Sequence, residues 1–230
     1  MKKYQDLQEG VYDPNIFKAF FLAGGPGSGK SYVVRKTTGG TGLQIVNSDD
    51  AFEKYLKIAG LSKKMPASEE KPRDIERARA KKVTKAREEG YVGGRLGIII
   101  DGTGKDYDKI AKQSIQLRQL GYDTHMIFVN TSLDVALARN AKRSRSVPES
   151  IAVRSWKDVQ SNIGKFSQHF RQNFIVVDNN DSSKDDGQVF NDVFKQIRGL
   201  LKKKVTSPIA KQWVMQQMKD RGITKAPKGF

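Results

Sequence analysis

An apolar, aromatic-rich run at residues 17–23, FKAFFLA, leads directly into GGPGSGKS at residues 24–31, and helix-forming residues follow at Tyr32–Lys36. A buried strand, a glycine-rich turn and a helix start form the context in which G-x-x-x-x-G-K-[ST] wraps backbone N–H groups around a phosphate chain. The glycines allow the backbone to approach closely. Lys30 is expected to reach the β- and γ-phosphates, and Ser31 to offer its hydroxyl to Mg²⁺. The following helix adds its positive N-terminal end. The pattern therefore predicts a nucleoside triphosphate with magnesium, with ATP held by Gly25, Pro26, Gly27, Ser28, Gly29, Lys30, Ser31 and Tyr32. A phosphate-binding loop alone does not separate transfer from hydrolysis.

Four more short apolar runs, at 43–47, 98–100, 125–129 and 174–177, read as strands, and helix-like stretches lie between them. Strands that alternate with helices and are nearly all apolar predict an α/β fold: a parallel five-stranded sheet buried on both faces, in three α/β/α layers. The helices are expected over 50–60, 72–89, 105–120, 131–143, 151–170 and 189–201. Asp50 with Glu53 suggests a cap for the first of these. A last helix is expected to start at Ser207-Pro208 and to dock through Ile209, Trp213 and Met218.

Composition narrows the setting. The 230 residues include no cysteine, which excludes disulfides and cysteine-based zinc sites. The apolar runs are too short to span a bilayer, and the first ten residues lack the apolar core of a secretory signal, so a cytoplasmic protein is expected. The formal net charge of +17 exceeds what a triphosphate site needs and predicts a polyanionic partner, a nucleic acid or nucleotide.

The ordered set AGGPGSGKS, VNSDD, IIIDGTG, ALARNAKRSRSVP and IVVDN, over residues 15–180, resembles the P-loop kinases of the zeta-toxin and polynucleotide-kinase group. Phage-encoded members are common in that group. The resemblance implies transfer of a phosphoryl group from ATP to a hydroxyl of a nucleotide, a nucleic-acid end or a nucleotide sugar. It also implies an acceptor-side base after the second strand, a D-x-T element facing the acceptor and a lid that carries arginines. The chain departs from the group in one place. An arginine that tends to follow the acceptor-side aspartate is replaced by the stretch AFEK.

Each motif also has a physical reading. Asp49 and Asp50 lie past the carboxyl end of a strand, where open α/β sheets bind ligands, and a carboxylate there can take the proton of an attacking hydroxyl. Asp49 is favoured as base because Asp50 suits the helix cap; Asp50 is then assigned to the acceptor. Asp101 ends the third strand and could support the magnesium shell, or face the acceptor with Thr103. Arg139 and Arg143, four apart, would share one face of a helix and could clamp the transferring group, with Arg145 just beyond. Asp178 and Asn179 would lie near the adenine. His125 and His169 have no partner spacing, and Trp156 and Trp213 read as packing residues.

Residues 1–200 are expected to form the kinase domain, with a basic helical insertion at about 61–95 and a lid at about 131–150. Residues 201–230 would form a basic helical tail. The arginines and lysines of the insertion (Arg73, Arg77, Arg79, Lys81, Lys82) and the run Lys202–Lys204 are candidate polyanion contacts. Two other readings are compatible with the sequence: a nucleic-acid-binding NTPase, and a non-catalytic accessory protein acting through its basic surface.

Overall fold

The computed structural model describes residues 10–64, 66–143, 146–180 and 186–226. Its centre is a parallel sheet of β1 (Lys18–Ala23), β2 (Gln44–Val46), β3 (Ile98–Asp101), β4 (Asp123–Asn130) and β5 (Phe174–Asp178). The strand order is β2-β3-β1-β4-β5. The helices are α1 (Lys30–Thr38), α2 (Ser48–Ile58), α3 (Glu70–Gly93), α4 (Tyr107–Gln119), α5 (Leu133–Ala141), α6 (Glu149–Ser161), α7 (Ile163–Phe170), α8 (Asp186–Lys202) and α9 (Pro208–Asp220). From β1 the chain runs to one side of the sheet through β2 and β3, then crosses to β4 and β5. β1 thus marks the switch in strand order, and its carboxyl end opens into the crevice where such sheets bind ligands.

Alternation along the strands explains why the runs are apolar throughout. Ala19, Phe21 and Ala23 of β1 face one cluster with Met126 and Phe128, Leu117 of α4, Val159 of α6 and Phe166 of α7. Phe20 and Leu22 face the other with Ile127, Val129, Val33 and Val34 of α1, and Val193 and Ile197 of α8. Both sheet faces are therefore covered, as parallel sheets require. Among the described residues no helix is long and apolar enough to cross a membrane.

Three expected elements differ. The charged helix, expected over 72–89, runs from Glu70 to Gly93 and passes through Gly90, a residue that commonly ends helices. Tyr91 and Val92 pack on the central core, and tertiary burial outweighs the cost of about 1 kcal/mol for a glycine inside a helix. The helix expected over 151–170 divides at Asn162. The buried Asn162 amide donates to the carbonyls of Gly104 (3.1 Å) and Lys105 (3.0 Å) and ties the break to the loop after β3. In α9, Ser207 caps as predicted, its Oγ accepting from the Ala210 N–H, and Trp213 and Met218 pack on the core. Ile209 does not dock; it is half exposed.

One buried group ties stability to pH. His125 of β4 stacks on Phe20 at 4.9 Å, and neither ring nitrogen has a hydrogen-bond partner. Burial pushes its pKa down from 6.5 to about 4; Lys18, Lys203 and Arg118 add to the effect and Asp123 opposes it. The folded protein refuses a proton that the unfolded chain accepts. The stabilising contribution is complete above the unfolded value of 6.5 and is lost as pH falls toward about 4. A shift of this size corresponds to about 3 kcal/mol. Urea unfolding at neutral pH and near pH 4 should show His125→Leu losing less stability on acidification than wild type by about that amount. Equal losses would contradict this account.

Candidate functional site

The loop between β1 and α1 is held open by its backbone. Gly24, Gly27 and Gly29 have φ of 153°, 78° and 88°, conformations that side chains with a Cβ rarely adopt. Space enforces the same choice. A Cβ on Gly27 would lie 2.0 Å from the Ala136 carbonyl oxygen, and one on Gly29 would lie 2.3 Å from Asn179 Nδ2. Gly27→Ala should therefore cost about 2–5 kcal/mol through backbone strain and overpacking together. A lowered melting temperature with loss of nucleotide binding is the expected result; wild-type melting would refute the packing described.

Three side chains brace the loop from outside. Asn179 Nδ2 donates to the Ser28 carbonyl at 2.8 Å, and Thr131 Oγ1 donates to the same oxygen at 3.3 Å. Trp156 Nε1 donates to the Thr131 carbonyl at 2.7 Å, and its side chain lies against Gly25. Trp156 is thus a packing residue, as expected, placed directly on the phosphate loop. Inside the loop, the buried Ser28 Oγ has no partner. Lys30 Nζ donates to the Gly24 and Gly25 carbonyls, and Ser31 is exposed at the start of α1. An unsatisfied hydroxyl, a lysine folded onto loop carbonyls and glycines with no room for Cβ fit a polyphosphate held by backbone amides. Ser31 fits a magnesium ligand.

Charged groups from four segments converge on this loop. Burial pushes the Lys30 ammonium below its usual range; Asp101 and Asp49 oppose that shift, and Arg143 adds to it. Burial likewise raises the Asp101 carboxyl. Lys30 and Arg143 pull it down, while Asp49 and Asp50 push it further up. Asp101 sits at the end of β3, in register with Leu22 of β1. Gly24 N–H donates to the Thr103 carbonyl at 2.9 Å, which joins the loop after β3 to the phosphate loop, with Thr103 itself exposed.

The aspartates are set differently from the sequence expectation. Asn47, not Asp50, caps α2: its Oδ1 accepts from the Asp49 N–H at 2.7 Å. The cap places Asp49 and Asp50 together in the first turn. Asn47 Nδ2 also donates to Asp101 Oδ2 at 2.8 Å, so one amide links the two carboxylate-bearing segments. Asp49 Oδ1 pairs with Arg77 Nη1 of α3 at 3.1 Å. The Arg77 guanidinium lies 3.7 Å from the ring centroid of the buried Phe52, and Arg79 stacks on Tyr55. Two of the five insertion residues expected as polyanion contacts thus face α2.

The two arginines separate as well. α5 ends at Ala141, so Arg143 lies beyond the helix and shares no helical face with Arg139. Arg139 Nη1 donates to the Asn179 carbonyl at 2.7 Å, beside the brace on Ser28. Arg143 acts electrostatically on Lys30 and Asp101 instead. The buried Asn140 clasps its turn: Nδ2 donates to the Val147 carbonyl (2.8 Å), and Oδ1 accepts from the Val147 N–H (3.2 Å). Arg145 lies outside the described residues. Asn47 and Asn140 are thus residues of the candidate site missed by sequence reasoning, and Arg77, expected as a polyanion contact, pairs with Asp49. The Asn47 cap alone left a local trace, an asparagine directly before S-D-D.

No curated protein sequence matches the chain. Among solved structures, a candidate kinase from Chloroflexus aurantiacus J-10-fl aligns with a TM-score of 0.54 at 15% identity, covering 79% of this chain and 97% of that one. AvrRxo1-ORF1:-ORF2 solved with ATP aligns with a TM-score of 0.55 at 15% identity, over 74% of this chain and 59% of that one. The Pnkp1/Rnl/Hen1 RNA repair complex aligns with a TM-score of 0.51 at 20% identity, over 66% of this chain and 47% of that one. These likenesses establish the P-loop kinase fold. The sequence profile described as zeta toxin matches residues 3–186, most of the chain, and the protein belongs to the zeta-toxin family of P-loop kinases.

Proposed function

We propose that the protein is an ATP- and magnesium-dependent kinase that transfers the γ-phosphate to a hydroxyl of a nucleotide or nucleic-acid acceptor. One observation carries this reading. Lys30, half-buried at the phosphate loop, lies within electrostatic reach of Asp101 from one strand end, Asp49 from the next helix, and Arg143 from a third segment. Donor-phosphate, acceptor and transition-state groups would meet at that point. Family membership and a similar fold solved with ATP support the nucleotide assignment. The charge of +17 supports an anionic acceptor.

In this reading the loop amides and Lys30 hold the triphosphate, with Tyr32 beside them, and Ser31 holds the magnesium. Bound magnesium would neutralise charge on the phosphates. Asp49 accepts the proton of the acceptor hydroxyl. Asp49 rather than Asp50 is chosen because it is among the charges that act on Lys30, not because Asp50 caps the helix. Asp50, Asp101 and Thr103 line the acceptor side, with Asp101 held in place by Asn47. Arg143 stabilises charge on the equatorial oxygens of the transferring group. Arg139, anchored at Asn179, serves the base end of the nucleotide instead. Residues 1–200 act as the kinase unit and 201–230 as an appended tail.

The test is whether ATP consumption depends on an acceptor. ADP release should be slow with ATP and magnesium alone and should rise by roughly 10²-fold or more with a competent nucleotide or nucleic-acid hydroxyl. Full-rate hydrolysis without any acceptor, unchanged by Asp49→Asn, would make the protein an NTPase.

A further inference from the structure

The family match ends at residue 186, and a strongly basic stretch of the chain lies beyond it. Residues 201–230 contain seven lysines and one arginine against a single aspartate, a net +7 of the total +17. The packing of α9 fixes where this charge sits. Trp213 meets Phe17 edge-on at 5.5 Å, and Arg95 lies over the Trp213 ring. Ala210 packs so tightly on Gly121 that a Cβ there would fall 2.9 Å from the Ala210 nitrogen. Phe17, Arg95 and Gly121 all precede strands, so α9 covers the amino ends of the sheet. The phosphate loop is at the carboxyl end, on the opposite side of the molecule.

α8 delivers Lys202–Lys204 to the same end, where Lys203 acts on His125 near the start of β4. Lys202, Lys203, Lys204, Lys211, Lys219 and Arg221 are all exposed. The lone acid, Asp220, accepts a hydrogen bond from Gln216 at 2.7 Å. The outward side of α9 mixes Lys211 and Lys219 with Gln212 and Gln216, and its large exposed apolar side chains are Ile209 and Met215. Two isolated apolar residues do not make the broad apolar face of a helix that inserts into a membrane interface. Lysines spaced with amides suit phosphodiester oxygens.

We propose that the α8–α9 end is a second binding surface, for the phosphate backbone of a nucleic acid, separate from the kinase site and independent of its chemistry. Contacts by exposed lysines make it sequence-tolerant and salt-dependent. A protein docked there can handle an acceptor at the opposite end of the molecule while remaining attached to the polymer.

The test uses the full chain without ATP and fluorescence anisotropy of roughly 20-nucleotide probes (single-stranded DNA, duplex DNA and RNA) across a salt series. One variant combines Lys202→Ala, Lys203→Ala, Lys204→Ala, Lys211→Ala and Lys219→Ala. A control combines Lys109→Ala, Lys112→Ala and Lys157→Ala, exposed on α4 and α6. Wild type and control should bind alike. The tail variant should lose about 30-fold or more at about 100 mM salt, and its log–log salt slope should fall by about 3–4. Matching melting curves and nucleotide affinities establish that both variants fold. No binding by wild type, equal loss in the control, or an unchanged tail variant would overturn the proposal. So would capture by phosphatidylserine vesicles without binding to any probe. None of these outcomes depends on phosphoryl transfer, so the kinase reading stands or falls separately.

Discussion

Lys30→Ala should abolish phosphoryl transfer, by about 10³-fold or more, while leaving the fold at least as stable. Both halves of this expectation follow from its position. Among the described residues, Lys30 donates to two loop carbonyls, and burial disfavours its charge. The Lys30 shift is downward, so desolvation outweighs the attractions of Asp101 and Asp49, and removing this charge costs little stability. With a polyphosphate present, the same side chain is the counter-charge nearest the loop. Without it, Asp101 and Asp49 face the phosphates uncompensated and repel them. Lys30→Arg should fail too, since a planar fork does not replace a compact ammonium inside a tight loop. Calorimetric titration with ATP and thermal melting separate the two effects. Near-normal transfer by Lys30→Ala would remove the loop from the mechanism.

The second large effect is at Asp49. Asp49→Asn should slow transfer by about 10²–10⁴ while nucleotide affinity is retained, because general-base catalysis is lost and the phosphate loop is untouched. Asp50→Asn should do less. Asp49 is paired with Arg77, and the guanidinium lies over Phe52 without leaving that carboxylate. This pairing holds the Asp49 side chain in one orientation. Single-turnover transfer at saturating ATP and magnesium reads the difference. A larger loss in Asp50→Asn than in Asp49→Asn would reassign the base.

The phosphate loop and the sheet were legible because each is local. GGPGSGKS needs only its own glycines and the flanking strand and helix, and the five apolar runs are buried on both faces. The acceptor side was less legible because it is assembled across the chain. Arg77 meets Asp49 only because α3 folds back on α2 around Phe52, Leu56 and Ala80. Asp50 with Glu53 looked like a capping pair, yet Asn47 takes the cap and also reaches Asp101. The four-residue spacing of Arg139 and Arg143 promised a common helical face, but the helix ends between them and Asn140 turns the chain. The glycine at 90 read as a helix stop, and the core contacts of Tyr91 and Val92 outweighed it.

The most direct test of the central claim follows the γ-phosphate itself. Labelled ATP with magnesium is offered with 5′-hydroxyl DNA and RNA, hydroxymethyl-base DNA, nucleosides, mononucleotides and nucleotide sugars, with Lys30→Ala and Asp49→Asn alongside. The account predicts label on a nucleotide or nucleic-acid hydroxyl, absent with Lys30→Ala and strongly reduced with Asp49→Asn. Label appearing only as free phosphate, at a rate unchanged by Asp49→Asn, would contradict it.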